Sequence, residues 1–395
     1  MSRKSCTFVR SNGRVAMNVE INQQRIDYLL SLYKMTRDDL LTQLNENRSR
    51  GYSLSDINGK MMAFSLLKNI DKIFQVGVEY YLDFSAISLK KSSSIFFRKT
   101  KFGSNLNMEA KRRVQSFEML KSELDAYWKL SDISIPKLSV HLTIQDDPYQ
   151  SALKVRELFY PRNVAKKDRD FLKEFINKLA EQYIYVFEFV ETWNKKELAN
   201  IDGVFIGPNM IVLKRQKSFK REIFTLAHEL GHCLLREEEI ESLDLPSMAA
   251  GGSLTAVEKW CNDFAFCFLM GDKLSEFDQI EHADDTNDYE RDKIENLSQA
   301  THVSRLALYT RLVMAHKMSN AHYQLVRADL DAQYQRMINA DIEQMEKKGG
   351  ASPQPIISNF YKDTLCCALY NGIINEAKFC KELRVKPDEM YKYFA

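Results

Sequence analysis

The chain has 395 residues, of which 45% are hydrophobic and 28% are charged. These proportions are ordinary for a soluble globular protein, and the length is enough for two or three domains with sizeable cores. Lysine and arginine number 56 against 54 acidic residues, so the formal net charge is only +2. A balance this close gives the whole chain no signature of nucleic-acid or membrane binding.

Cysteine usage and the N-terminus bear on the cellular compartment. The seven cysteines form no C-x-x-C pair, which favours reduced thiols over a disulfide framework or a cysteine-rich zinc module. The first residues, Met1 to Cys6, lack the apolar segment of a signal peptide. No window approaches the roughly 18 apolar residues of a membrane span. We therefore expect a cytoplasmic protein without a membrane partner.

Residues 1–92 are expected to form a helical domain. Apolar side chains recur at helical spacing from Ile26 to Tyr33, and Thr36 can cap a short helix that ends at Leu44. Short helices of this kind resemble the helix-turn-helix modules of phage-type repressors, and this resemblance implies DNA as a partner. Because few basic residues are available for phosphate contacts, a helical domain that docks protein is the alternative.

The remaining chain is predicted to be a mostly helical α+β protein, with a catalytic core and a small sheet between helical flanking domains. Period-2 patterns typical of strands first appear at 183–190, followed by a hairpin at 201–213. Residues 272–290 are predicted to be an acidic surface loop, and 349–355 a linker. The expected domains after the first are a helical connector at 93–164, the catalytic domain at 165–330 and a helical extension at 331–395.

An H-E-x-x-H motif lies in an apolar run with helical spacing. His228 and His232 are one helical turn apart, so their side chains leave the same face. That geometry suits two ligands of a tetrahedral zinc site, and Glu229 lies where it can take a proton from the attacking water. The alternative is an amphipathic helix that happens to carry two histidines.

A third ligand has to come from elsewhere, and Glu258 is the best candidate. It opens the next strongly apolar helix, where a buried carboxylate would be costly without a cationic partner. The alternative is that Glu258 only complements the helix N-terminus. Asn262, one turn further, can hydrogen-bond a ligand imidazole, or it is an ordinary surface amide.

These residues carry a family resemblance. The stretch from Ile223 to His232, followed by E-x-x-C-N-x-F-A from Glu258, resembles the ImmA/IrrE metallopeptidases, whose pattern is F-T-L-A-H-E-L-G-H and then E-x-x-A-N-x-F-A. The similarity covers roughly residues 165–325. Cys261 replaces the usual alanine, and Gly271 stands where proline is usual; both lie outside the expected metal ligands.

The resemblance implies a zinc-dependent endopeptidase that cleaves a transcriptional repressor of the helix-turn-helix type. Cleavage would switch on stress-response genes or genes of mobile elements and defence. His228, His232 and Glu258 would bind Zn²⁺, with Mn²⁺ as an alternative in vitro, and Glu229 would be the catalytic base. The competing hypothesis is a DNA-binding or partner-binding regulator whose metal site is structural or vestigial. The intact Glu229 favours the enzyme, since a structural site needs no general base.

Other side chains near the motif or downstream of it have no assigned role. By residue type, the candidates for an oxyanion donor are His282, Tyr289, His302 and His316, each more simply explained as a packing or surface residue. Cys233 and Cys267 suggest thiolate ligands, but they are more simply explained as small apolar core residues.

Overall fold

The computed structural model has two compact units, Met1–Ser116 and Phe117–Ala395. The residues it describes are 7–11, 14–46, 48–85, 106–161, 166–191, 197–238, 254–283, 289–348 and 354–393. Helices predominate throughout these ranges, and the strands form two three-stranded sheets, which confirms the expected α+β class. The division into four domains stays a prediction; its boundaries after residues 92 and 164 lie outside the described ranges.

The first unit combines an antiparallel sheet with short helices. Its strands, in the spatial order β1-β2-β3, are β1 (Thr7–Ser11), β2 (Arg14–Glu20) and β3 (Met61–Ala63). Its helices are α1 (Gln23–Tyr33), α2 (Arg37–Asn45), α3 (Leu54–Asn58), α4 (Phe64–Phe74) and α5 (Val78–Leu82).

This sheet corrects the expectation that strands first appear at 183–190. β3 has only three residues, too few for a readable period, and it becomes a strand by pairing with β2 from Asn18 to Glu20. That pairing is a tertiary contact across some forty positions of sequence, so no local pattern announces it.

The helical predictions in the first unit are confirmed. The face of α1 from Ile26 to Tyr33 is buried. Thr36 caps α2 by accepting from the backbone N–H of Asp39 at 3.1 Å, while the Asp39 carboxylate accepts from the Thr36 N–H at 2.8 Å. This reciprocal arrangement is a capping box. DNA binding through residues 1–92 stays a prediction.

The second unit contains the small mixed sheet and most of the helices. Its strands are β4 (Tyr185–Phe189), β5 (Gly203–Ile206) and β6 (Met210–Lys214). Its helices are α6 (Met108–Leu130, which contains the division point), α7 (Pro148–Phe159), α8 (Asp168–Ala180), α9 (Phe219–Leu235), α10 (Ala256–Met270), α11 (Leu274–Asp278), α12 (Arg291–Thr301), α13 (Arg305–Met314), α14 (Asn320–Lys348), α15 (Asn359–Tyr370) and α16 (Glu376–Leu383). Short 3₁₀ helices follow α10 and α16.

The sheet supports the helix that carries H-E-x-x-H. β6 lies in the centre, parallel to β4 and antiparallel to β5, and the turn 207–209 joins β5 to β6 as predicted. Every residue of β5 is buried. In α9, every residue from Glu222 to Leu235 is buried as well, because the helix packs against the sheet on one side and against α10 on the other.

The predicted surface loop at 272–290 is wrong in its first half. α11 lies within it, and Phe277, Ile280 and Ala283 are buried in the main core. These apolar side chains recur every three positions, but the acidic residues between them hide the pattern. Residues 284–288, like most of the predicted linker at 349–355, lie outside the described ranges.

Within the described ranges, no helix combines the length and the hydrophobicity that a bilayer crossing requires.

Candidate metal centre

The site depends on a close approach between α9 and α10. A Cβ atom built on Gly231 would lie 3.2 Å from the Cys261 sulfur, a tighter contact than side chains normally accept. Glycine therefore permits the two helices to pack at this point, with the Cys261 thiol between them. This packing brings the end of the H-E-x-x-H motif on α9 against the first turn of α10. There, Thr255 caps α10 by accepting from the Glu258 N–H at 3.1 Å.

The three predicted ligands meet at one point. Glu258 reaches both imidazoles, with Oε2 lying 3.2 Å from His228 Nε2 and Oε1 lying 3.2 Å from His232 Nε2. The two Nε2 atoms are 3.1 Å apart. All three residues are at most 3% exposed, and their ligand atoms lie within 4.8 Å of one another. The group can therefore hold a metal ion.

Hydrogen bonds on the far side of the imidazoles define their tautomers. His232 Nδ1 lies 3.1 Å from the backbone oxygen of Glu237, and His228 Nδ1 lies 3.1 Å from Asn262 Oδ1. Because a carbonyl oxygen only accepts, each Nδ1 carries the proton, and in a neutral ring Nε2 is then a bare lone pair. Asn262 thus occupies the position expected of a residue that orients a ligand from behind.

The donor set fits a divalent cation. With neutral rings, two nitrogen lone pairs and a carboxylate oxygen converge on one buried point with no proton between them. Such an arrangement is repulsive unless a positive charge lies at the centre. Imidazole nitrogens and a carboxylate are also the donor types that zinc takes in hydrolases. Burial acts to raise the pKa of Glu258, but in the protonated form of the two histidines their hydrogen bonds and positive charge outweigh it and lower that pKa.

Glu229 lies beside the three ligands and is only 4% exposed. Burial raises the pKa of its carboxyl to about 8; the His232 side chain opposes this shift, and the Glu258 charge adds to it. The backbone N–H of Phe205 in β5 donates to the carboxyl group, which also lowers the pKa. Oε2 has no hydrogen-bond partner among the described residues. A carboxyl group with these properties can exchange a proton near neutral pH.

Gly203 is a site residue that the sequence analysis missed. A Cβ atom on it would lie 2.6 Å from Thr225 Cγ2 and 2.9 Å from Glu229 Oε1. Only glycine therefore lets β5 come close enough for the Phe205 N–H to reach Glu229. The available signal was a glycine inside an apolar strand pattern, which often marks a close approach of backbone.

The candidates for an oxyanion donor have varied surroundings. His302 is buried, with Nδ1 at 2.6 Å from Asp168 Oδ1. Tyr289 is half-buried, while His282 and His316 are exposed. His302 is therefore committed to Asp168, and the role of oxyanion donor stays unassigned.

The cysteines pack as expected. Cys233 is fully buried and Cys267 partly so. Burial raises the pKa of the Cys233 thiol to about 12 and that of Cys267 to about 11. Both therefore stay protonated at neutral pH, which disfavours a role as thiolate ligands.

A buried pair of histidines from H-E-x-x-H, with a carboxylate from the following helix, defines a metallopeptidase-like domain. Residues 179–313 match the family model of the IrrE N-terminal-like domain, Peptidase_M78, which represents the ImmA/IrrE family. The matched range contains all five predicted site residues and Gly203. It also confirms the central part of the resemblance seen in the sequence. The comparison with curated proteins gave no match.

Proposed function

We propose that this chain is a zinc-dependent endopeptidase that cleaves one specific protein, a helix-turn-helix repressor, and so switches on stress-response or mobile-element genes. One observation carries the enzymatic part of the proposal. Glu229 is buried beside the three ligands without being one of them, which puts a carboxyl group where a proton would be transferred beside a bound metal. A purely structural metal site has no use for such a group.

The residues have distinct roles in the proposed reaction. His228, His232 and Glu258 would hold a zinc ion, which when bound would supply Lewis-acid polarisation of the scissile carbonyl. Glu229 accepts a proton from the attacking water and delivers it to the leaving amine nitrogen. The Phe205 N–H holds the Glu229 carboxyl group in place during both transfers.

The burial of the site supports a narrow substrate range. The three ligands and Glu229 are each at most 4% exposed. Access to such a site requires a substrate that fits the surrounding surface. The choice of a repressor as this substrate rests on the family resemblance.

The test uses the full chain, zinc or manganese, and any small repressor-like protein that is found encoded beside it. We expect the wild-type chain to cut the repressor, and Glu229→Gln to keep its metal while cleavage falls at least about 100-fold. Glu222→Gln is the matched control, because it makes the same change in a buried glutamate two turns earlier on α9. A Glu229→Gln variant that cleaves as fast as wild type would refute the assigned role.

DNA binding by residues 1–92 is a separate part of the proposal. Full-length protein should bind duplex DNA with an affinity that falls steeply as salt rises, because phosphate contacts release counterions. A salt titration of binding measures this slope. Binding that is absent or insensitive to salt would instead favour a domain that docks protein.

A further inference from the structure

The segment that follows α9 contacts both the metal ligands and the sheet. Arg236 ends the helix in the left-handed conformation, with φ at 57°. The chain then turns so that the Glu237 carbonyl accepts from His232 Nδ1 at 3.1 Å. One residue later, Glu238 Oε1 accepts from the backbone N–H of Gly207 at 2.9 Å.

Gly207 opens the turn between β5 and β6, two positions beyond Phe205. Backbone N–H groups two residues apart in an extended strand point to the same side. Here the Phe205 N–H reaches Glu229, and the Gly207 N–H reaches Glu238. The same edge of the sheet therefore holds the catalytic carboxyl group and the segment whose carbonyl faces His232.

We propose that Glu238 is a positioning residue for the metal centre. Its hydrogen bond to Gly207 fixes the Glu237 carbonyl against His232 Nδ1, which keeps the imidazole proton on Nδ1 and leaves Nε2 free to bind metal. This inference rests on the proposed zinc site.

A fixed carbonyl is needed because Glu237 lies beyond the last helical residue. The helix holds the N–H of Glu237, which donates to the His232 carbonyl at 3.1 Å, but not the carbonyl on the following peptide, and helix ends fray readily. An acceptor behind a ligand histidine fixes the ring orientation and raises its basicity, and losing it typically weakens metal binding about 10–100-fold. Since Glu238 acts through the backbone of its neighbour, we expect the lower end of this range.

Three variants separate the possible roles of this side chain. Glu238→Ala removes the acceptor, and Glu238→Gln keeps an Oε1 acceptor while removing the charge. Glu276→Ala is the control, because it removes an exposed carboxylate that pairs with Lys273 at 2.7 Å.

Zinc dissociation constants are measured by chelator competition, together with the melting temperature of the metal-free protein. We expect Glu238→Ala to weaken zinc binding about 10-fold, and Glu238→Gln and Glu276→Ala to stay within about twofold of wild type. A merely structural role would lower the melting temperature of the metal-free protein and leave the zinc affinity of the folded protein unchanged. An affinity within about twofold in Glu238→Ala, or an equal loss in Glu238→Gln, would overturn the proposal. A wild-type chain without zinc affinity would overturn the metal centre itself.

A second measurement follows the tautomer directly in the metal-free protein. The ¹⁵N chemical shifts of the His232 ring should report the Nδ1–H tautomer in wild type and a mixture of tautomers in Glu238→Ala. Identical ring shifts in both proteins would show that Glu238 does not set the tautomer, even if the two differ in stability.

Discussion

Helix α9 carries two buried acidic clusters, and they balance their charge in different ways. At Glu222, which is fully buried, the Arg215 guanidinium lies 3.5 Å away and also pairs with Glu188. Burial and the neighbouring Glu188 raise the pKa of Glu222 to about 9, so this carboxyl keeps its proton at neutral pH and shares it with Glu188. An arginine and a shared proton thus complete the first cluster from within the chain.

The second cluster lies two turns later and consists of His228, His232 and Glu258, with Glu229 beside them. Within the ranges that the structure describes, the basic partners of Glu258 are the two histidines, and no arginine or lysine pairs with it. In both histidines the ring proton is on Nδ1, on the side of the imidazole away from Glu258. The first cluster is therefore complete, because groups of the chain itself balance its charge. The second is incomplete, because it requires a cation from outside the chain. This difference separates a structural network from a metal centre.

The strongest test removes a ligand from the incomplete cluster. His232→Ala should weaken zinc binding at least about 1,000-fold, because it removes one of three protein ligands, and zinc binding free energies in structural sites are on the order of 10–16 kcal/mol. Elemental analysis after dialysis measures the metal content. Glu222→Gln, in the complete cluster, should keep the wild-type content. Full zinc content in His232→Ala would contradict the ligand assignment.

The next test breaks the complete cluster. Arg215→Met removes the guanidinium and leaves the Glu188 carboxylate buried without its cation, which should lower the free energy of unfolding by about 3–5 kcal/mol. Urea denaturation measures this change. Adding Glu188→Gln to Arg215→Met should restore part of the loss, because the remaining charge is then gone. A single variant as stable as wild type would show that Arg215 does not compensate Glu188.

The two clusters also differ in how far the sequence predicts them. The histidine spacing follows from the helical period, and Glu258 follows from the cost of burying a carboxylate at the start of an apolar helix. No comparable pattern connects Arg215 with Glu188 and Glu222, because these residues come together only when β4 pairs with β6, the strand that precedes α9. The contact of the Glu237 carbonyl with His232 could likewise not be predicted from the sequence, since any residue can supply a backbone oxygen. Side-chain chemistry at helical spacing was predictable, whereas contacts made through folding and through backbone were not.

A third test concerns the contact between β5 and the incomplete cluster. In Gly203→Ala, the added methyl group overlaps Thr225 Cγ2 and Glu229 Oε1, so we expect a loss of about 1–3 kcal/mol in the free energy of unfolding. Cleavage of the repressor should fall further than this loss explains, since Glu229 is displaced from its position. Adding Thr225→Ser removes the nearest methyl group and should restore stability more than activity. If stability and activity recovered equally in the double variant, Gly203→Ala would act through packing alone.

The last test concerns a pH dependence that arises in the complete cluster. The pKa of Glu222 is raised to about 9 in the folded chain from its ordinary value of 4.5. Between these values the folded state holds a proton that the unfolded state has released. Stability therefore falls as pH rises through this window, by at most about 1.4 kcal/mol per pH unit.

Glu222→Gln should remove this dependence while it preserves the contacts. The amide NH₂ can donate to Glu188 as the protonated carboxyl does, and its oxygen can accept from the Gln216 N–H, which lies 2.8 Å from Glu222 Oε1. We expect the variant to gain stability relative to wild type steadily between about pH 5 and about pH 8, as measured by urea denaturation at each pH. Parallel stability curves would show that Glu222 is already ionised in the folded chain. The proton would then have no part in completing this cluster, and Arg215 alone would balance two carboxylates.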